Sequence, residues 1–115
     1  MAKNDTNITM VRGDTLALGI ELYDDDGELL TDDLTGAYFS CKADPDDEEY
    51  VFQKSLSDGI SKRSTGIYSV RVAPEDTEDL EAGVYYYDLE IQISSDVYTP
   101  IKGKLTLETD ITREA

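Results

Sequence analysis

The sequence predicts an all-β domain, a two-sheet antiparallel sandwich of about seven strands, on three observations. Segments in which apolar and polar residues alternate with a period of two recur along the chain, the mark of half-buried strands. Turn-forming residues separate these segments at intervals of about 8 to 15 positions, a spacing that favours a sandwich over a small barrel. Only one stretch has helical character, and it is too short for more than about two turns.

The first strand is expected over Thr15 to Tyr23, with Leu16, Leu18, Ile20 and Leu22 on one face and Ala17, Gly19 and Glu21 on the other. Asp24-Asp25-Asp26-Gly27-Glu28 ends it, because Asp-Gly supplies the positive φ angles of a tight reversal before Leu29-Leu30. Leu34-Thr35-Gly36 leads into a second strand, Ala37 to Ala43, in which Phe39, Cys41 and Ala43 share a face. The acidic loop Asp44-Pro45-Asp46-Asp47-Glu48-Glu49 breaks that strand. Tyr50 to Leu56 follows, closed by Ser57-Asp58-Gly59; after a polar stretch comes Gly66 to Val72, with Tyr68, Val70 and Val72 facing one way.

Pro74 to Leu80 reads as a connecting turn or 3₁₀ segment. The strongest alternation follows Gly83: Tyr85, Tyr87, Leu89, Ile91 and Ile93 on one face, Tyr86, Asp88, Glu90 and Gln92 on the other. Ser94-Ser95-Asp96 turns the chain into a last strand, Val97 to Leu107, with Ile101, Gly103, Leu105 and Leu107 in phase. Short loops between strands imply antiparallel pairing, since a parallel crossover needs a dozen or more residues. Residues 1–115 are read as one domain, with 1–7 and 113–115 as flexible tails.

Ten Lys and Arg against twenty-six Asp and Glu leave a formal charge of −16. Such a chain is repelled by phosphate backbones and by anionic membranes, so neither nucleic acid nor a membrane is expected as a partner. No apolar run approaches the roughly 20 residues of a spanning helix. Met1 to Met10 lacks the apolar core of a secretory signal, so synthesis in the cytoplasm is expected. Cys41 is the single cysteine and is expected to be a small buried hydrophobe, held in the core without a disulfide.

The sequence contains no histidine, which removes the commonest general base and metal ligand together with Ser-His and Cys-His nucleophile pairs. The carboxylates crowd into turns, where solvent keeps them ionised, so paired acid/base chemistry and an enzyme are not expected. Asp24, Asp26 and Glu28, and in a second cluster Asp44, Asp46 and Asp47, offer oxygens to a divalent ion. Neither has the twelve-residue spacing and flanking helices of an EF-hand, and both read as solvated hairpin loops. No catalytic, cofactor-binding or metal-ligating residue is therefore assigned. Arg12-Gly13-Asp14 spells an integrin-binding tripeptide but reads as the turn that launches the Thr15 strand. Asn4-Asp5-Thr6 and Asn7-Ile8-Thr9 match the glycosylation pattern without a signal to bring them to that machinery. Tyr85 and Tyr87 are expected in the core with their hydroxyls on backbone carbonyls or at the sheet edge, and Tyr86 on the opposite face, where it could anchor an interface.

Several motifs occur in a characteristic order. They are Arg12-Gly13-Asp14-Thr15, Asp25-Asp26-Gly27, Leu34-Thr35-Gly36-Ala37, Gly66-Ile67-Tyr68, Asp76-Thr77 to Leu80, Gly83-Val84-Tyr85-Tyr86-Tyr87-Asp88, Tyr98-Thr99-Pro100 and Gly103-Lys104-Leu105-Thr106-Leu107. In that order and spacing, from about Ile8 to Thr112, the chain resembles the small immunoglobulin-like domains of tailed-phage virion proteins. It is similar in particular to the N-terminal domains of the baseplate upper proteins of phages that infect Gram-positive bacteria. The resemblance implies an immunoglobulin-like sandwich and a non-enzymatic phage or prophage part in the tail, baseplate or a connector. The partners implied are other virion proteins, or further copies of the chain, and the place is the virion, after synthesis in the bacterial host cytoplasm. The chain ends soon after the domain, so an accessory or connector part is expected. Leu80, Gly83 and Tyr85 are similar to a tyrosine corner, in which the phenol bonds back to nearby backbone. Two other functions compete: an acidic DNA mimic that blocks a host enzyme, motivated by eleven acids and one lysine between Asp24 and Glu49, and a carbohydrate-binding module, disfavoured by the absence of tryptophan and the expected burial of most tyrosines.

Overall fold

The computed structural model describes residues 4–111. Its strands are β1 (Asn4–Asp5), β2 (Ile8–Val11), β3 (Leu16–Glu21), β4 (Gly36–Lys42), β5 (Phe52–Leu56), β6 (Gly59–Ser64), β7 (Ile67–Val72), β8 (Gly83–Ile93) and β9 (Asp96–Glu108). One helical turn, α1 (Pro74–Thr77), lies between β7 and β8. The protein is all-β, and its strands hydrogen-bond in the order β1-β9-β8-β4-β5-β6-β7-β3, with β2 beside β9. The path stays open at β3.

The alternation in β8 places Tyr85, Tyr87, Leu89 and Ile91 in the core. There they meet Ala37, Phe39 and Cys41 of β4, Tyr68, Val70 and Val72 of β7, Ile20 of β3, and Leu105 and Leu107 of β9. Phe39 stacks on Tyr87 at 5.1 Å and on Phe52 at 6.2 Å between centroids, tying three adjacent strands together. Cys41 is fully buried, as its position in the alternation predicts, and burial pushes its thiol up to about 12.

Buried phenols carry a second duty. The Tyr85 hydroxyl donates to the Glu81 carbonyl at 2.6 Å, pinning the turn before β8, and the Tyr87 hydroxyl donates to the Thr6 carbonyl at 2.5 Å. The linker between β1 and β2 lies so close to β9 that a Cβ at Gly103 would stand 2.0 Å from the Thr6 oxygen, so only glycine fits there. Arg12 fastens the end of β2. Its Nε and Nη2 donate to Asp110 Oδ1 at 3.1 and 2.8 Å, and its Nη1 donates to the Leu80 carbonyl at 3.1 Å. Gly13, at φ +83°, donates its N–H to the buried Thr77 hydroxyl at 2.9 Å. Arg12-Gly13 is thus the turn that precedes β3, and it also clamps that turn to the segment before β8.

The structure departs from several expectations. Among the described residues nine strands replace about seven: β1, β2 and β6 were not foreseen, and the extended path at Leu29-Leu30 forms only an isolated bridge to Tyr23; β6 is GISKRS with only Ile60 buried, so it carries no alternation to read. Pairing is not antiparallel throughout. β5 and β6 meet in parallel over two residue pairs after a sharp turn in which Ser57 and Gly59 have φ of +68° and +102°. β1 and β2 run parallel to β9, a strand about ninety residues later, where loop length imposes no direction. Ala43 is exposed, since β4 ends at Lys42 and leaves it beyond the paired region. Pro74 to Thr77 forms a single α-turn, its start closed by the Ala73 N–H donating to Asp76 Oδ2 at 2.7 Å. Asn4–Asp5, within the stretch read as a tail, pairs with Ile101 and Lys102; residues 1–3 and 112–115 lie outside the described residues, and with them the proposed tail at 113–115.

Replacing Tyr85 by Phe removes one hydrogen bond without opening a cavity, and urea unfolding is expected to show a loss of about 1 kcal/mol. Phe39→Ala empties the centre of the aromatic stack and is expected to cost about 3–5 kcal/mol in the same measurement. The Cys41 thiol is expected to resist a disulfide reagent at pH 8 in the folded protein and to react at once in denaturant, as followed by thiolate release.

Candidate functional site

The outward residues of β9, β8, β4 and β5 form one surface, because side chains in register across a sheet stand side by side, with Cβ atoms about 4.5–5.5 Å apart. Strand register lays them out in three rows. Lys102, Asp88, Ser40 and Gln53 make the middle row; Lys104, Tyr86 and Lys42 lie on one side of it; Glu90, Tyr38 and Ser55 lie on the other. The chain edges rise around this face, with Asn7 at one rim and Pro45 and Tyr50 at the other, enclosing an open groove of about 670 Å³.

Charges in the groove alternate without closing on one another. Asp88 lies half-buried at the centre with Lys102 directly across and Lys42 one strand away, yet among the described residues no hydrogen bond or ion pair closes on its carboxylate. Burial, and then the Glu90 carboxylate, push its acid above the ordinary aspartate value, while Lys42 and Lys102 pull it down without prevailing. Lys42 Nζ stands 5.1 Å from the Tyr50 ring centroid, a cation–π distance. Gln53 Nε2 donates to the Ser40 hydroxyl at 2.9 Å, and the Asn7 amide oxygen accepts the Lys104 N–H at 3.1 Å.

A second feature lies at the other end of the sheet path. The Leu22 N–H donates to the Gly66 carbonyl at 2.8 Å, and register runs unbroken from there to Leu16 opposite Val72. Peptide groups alternate sides along a strand, so Leu16, Leu18 and Ile20 serve β7, whereas those of Ala17, Gly19 and Glu21 point to the open edge. That edge carries neither proline nor lysine, the usual guards against strand addition. A Cβ at Gly19 would meet nothing within 4 Å, so no contact inside the chain calls for glycine there.

The residues singled out in the sequence take other places. Asp24 Oδ1 accepts the N–H groups of Asp26 and Glu28 at 2.9 and 3.0 Å, and Asp44 Oδ1 that of Asp46 at 3.0 Å, so both acidic clusters are carboxylate-closed turns. Among the described residues, no three His, Cys, Asp or Glu side chains gather as a metal-ligand set. Arg12 is engaged with Asp110 and Leu80, Asp14 is exposed, and Asn7 of the second glycosylation pattern holds Lys104. Tyr86 does lie opposite Tyr85 and Tyr87, and it lines the groove. The expectation that most tyrosines are buried fails: only Tyr68, Tyr85 and Tyr87 are, while Tyr38, Tyr50 and Tyr86 face the groove. Sequence reasoning passed over Asp88, Lys42, Lys102 and Lys104. The polar phase of β8 was the available signal for Asp88, but the lysines join it only through cross-strand register.

Compared with protein-family models and with curated proteins, the chain matches none.

A raised Asp88 acid fixes the sign of a pH effect. Its neutral form suits the fold better, so this contribution to stability is complete below the unfolded aspartate value and is lost as pH rises through the folded one. Asp88→Asn is therefore expected to melt higher than the parent protein at pH 7, and the difference is expected to vanish near pH 3 in paired thermal melts.

Proposed function

We propose that this chain is a non-enzymatic structural protein of a phage or prophage particle, an immunoglobulin-like domain that joins other virion proteins, or further copies of itself, by accepting a strand along β3. The observation that carries this reading is the open β3 edge, where the peptide groups of Ala17, Gly19 and Glu21 face outward. Unpaired strand edges recruit extended segments of partners through main-chain hydrogen bonds. In this reading β9, β8, β4 and β5 form one sheet of the sandwich and β6, β7 and β3 the other, with the two-residue β5–β6 contact marking the passage between them. The Tyr85–Glu81 bond supports the immunoglobulin-like assignment, since a phenol bonded back to the preceding turn is a feature of that architecture. The motif order from Ile8 to Thr112 supports the setting in a tail, baseplate or connector.

The parity of β3 supplies a clean variant. Proline at position 17 removes an N–H that the β7 ladder does not use, so Ala17→Pro is expected to fold while blocking the edge. Size-exclusion chromatography with light scattering, together with binding to purified particle proteins, is expected to show association for the parent chain and its loss in Ala17→Pro. A parent chain that stays monomeric at high concentration and binds no particle protein overturns the proposal.

A further inference from the structure

We infer that the groove on the outer face of β9, β8, β4 and β5 is a saccharide-binding site, separate from the β3 edge and independent of it. Its volume of about 670 Å³ falls within the roughly 300–1,000 Å³ of small-ligand sites, and the side chains lining it decide what it can hold. Tyr38, Tyr50 and Tyr86 offer rings, Asp88 and Glu90 offer carboxylate acceptors, and Lys42, Lys102 and Lys104 offer ammonium donors. A sugar ring presents both halves of that set, hydroxyls that donate and accept and a C–H face that packs on an aromatic ring.

A peptide fits the groove less well. The floor strands β8 and β4 spend their peptide groups on ladders to both neighbours, so an extended segment finds no main-chain partner there. No aliphatic pocket receives its side chains, since Pro45 is the one apolar residue without a polar handle in the lining. Nor does an apolar ligand fit, because Asp88 and the lysines would lose solvent without gaining partners. Asp88 is the strongest single pointer: a half-buried carboxylate at the centre of a four-stranded face, with no hydrogen bond closing on it among the described residues, is placed to accept from ligand hydroxyls. The expected burial of most tyrosines, which disfavoured a carbohydrate site, does not hold for Tyr38, Tyr50 and Tyr86, which lie on the face opposite the core.

The test is an array of neutral, N-acetylated and anionic oligosaccharides probed with the full chain, followed by NMR titration of the best-retained glycan. Retention of at least one glycan is expected, with amide shifts gathered at Ser40, Asp88 and Lys102. Tyr86→Ala and Asp88→Asn are each expected to weaken binding about tenfold, equivalent to about 1.4 kcal/mol, while Ala17→Pro binds as the parent does. Asp88→Asn, expected to fold at least as stably as the parent at neutral pH, keeps the test decisive if Tyr86→Ala fails to fold. Three results overturn the inference: no glycan retained, retention unchanged in Asp88→Asn, or glycan-induced shifts that map away from the groove.

Discussion

The pairing of β8 with β4 on one side and β9 on the other is the constraint from which the rest of the molecule follows. Nine residues from Val84 to Gln92 alternate between outward and buried positions, and a strand flanked on both sides cannot slip by one residue without turning its whole apolar set to solvent. That register sends Tyr85, Tyr87, Leu89 and Ile91 inward and holds Tyr86, Asp88 and Glu90 outward at fixed spacing. Core and groove are two faces of one strand.

The polar atoms on the buried side reinforce this arrangement instead of weakening it. A tyrosine in the core must find a partner for its hydroxyl or lose the hydrogen bond it made with water. Tyr85 finds the Glu81 carbonyl and Tyr87 the Thr6 carbonyl, so one phenol pins the turn that enters the central strand and the other fastens the N-terminal segment to it. Arg12 extends the same logic, joining the end of β2 to Asp110 and to the backbone ahead of β8. With no disulfide available, these contacts and the aromatic stack on Phe39 close a structure whose first and last strands meet.

Two sets of acidic residues show different physics. Those between Asp24 and Glu28 and between Asp44 and Glu49 lie in solvent, and the first of each run closes its own turn. They set the charge and solubility of the surface. Asp88 is of the other kind, drawn from water by the sheet it stands on and flanked by Lys42 and Lys102, whose pull does not offset that burial. Composition alone counts both the same way.

Much of the fold was legible in the sequence. The alternation of Leu16 to Leu22, Phe39 to Cys41, Tyr68 to Val72 and Tyr85 to Ile93 determined the all-β class, the inward faces and the burial of Cys41, because a period of two has one geometric meaning. The expectation that the Tyr85 hydroxyl reaches a backbone carbonyl was legible too, because a buried phenol needs an acceptor. Tertiary structure decided what no local pattern encodes: that β2 lies parallel to β9, that the polar run GISKRS is a strand, and that β3 ends the path with one edge open. It also decided the groove, since Lys102, Asp88, Ser40 and Gln53 come from four distant segments and become neighbours only when register aligns them. Local periodicity reports which way a side chain faces, but the company it keeps there is set by strand pairing over long separations in the chain.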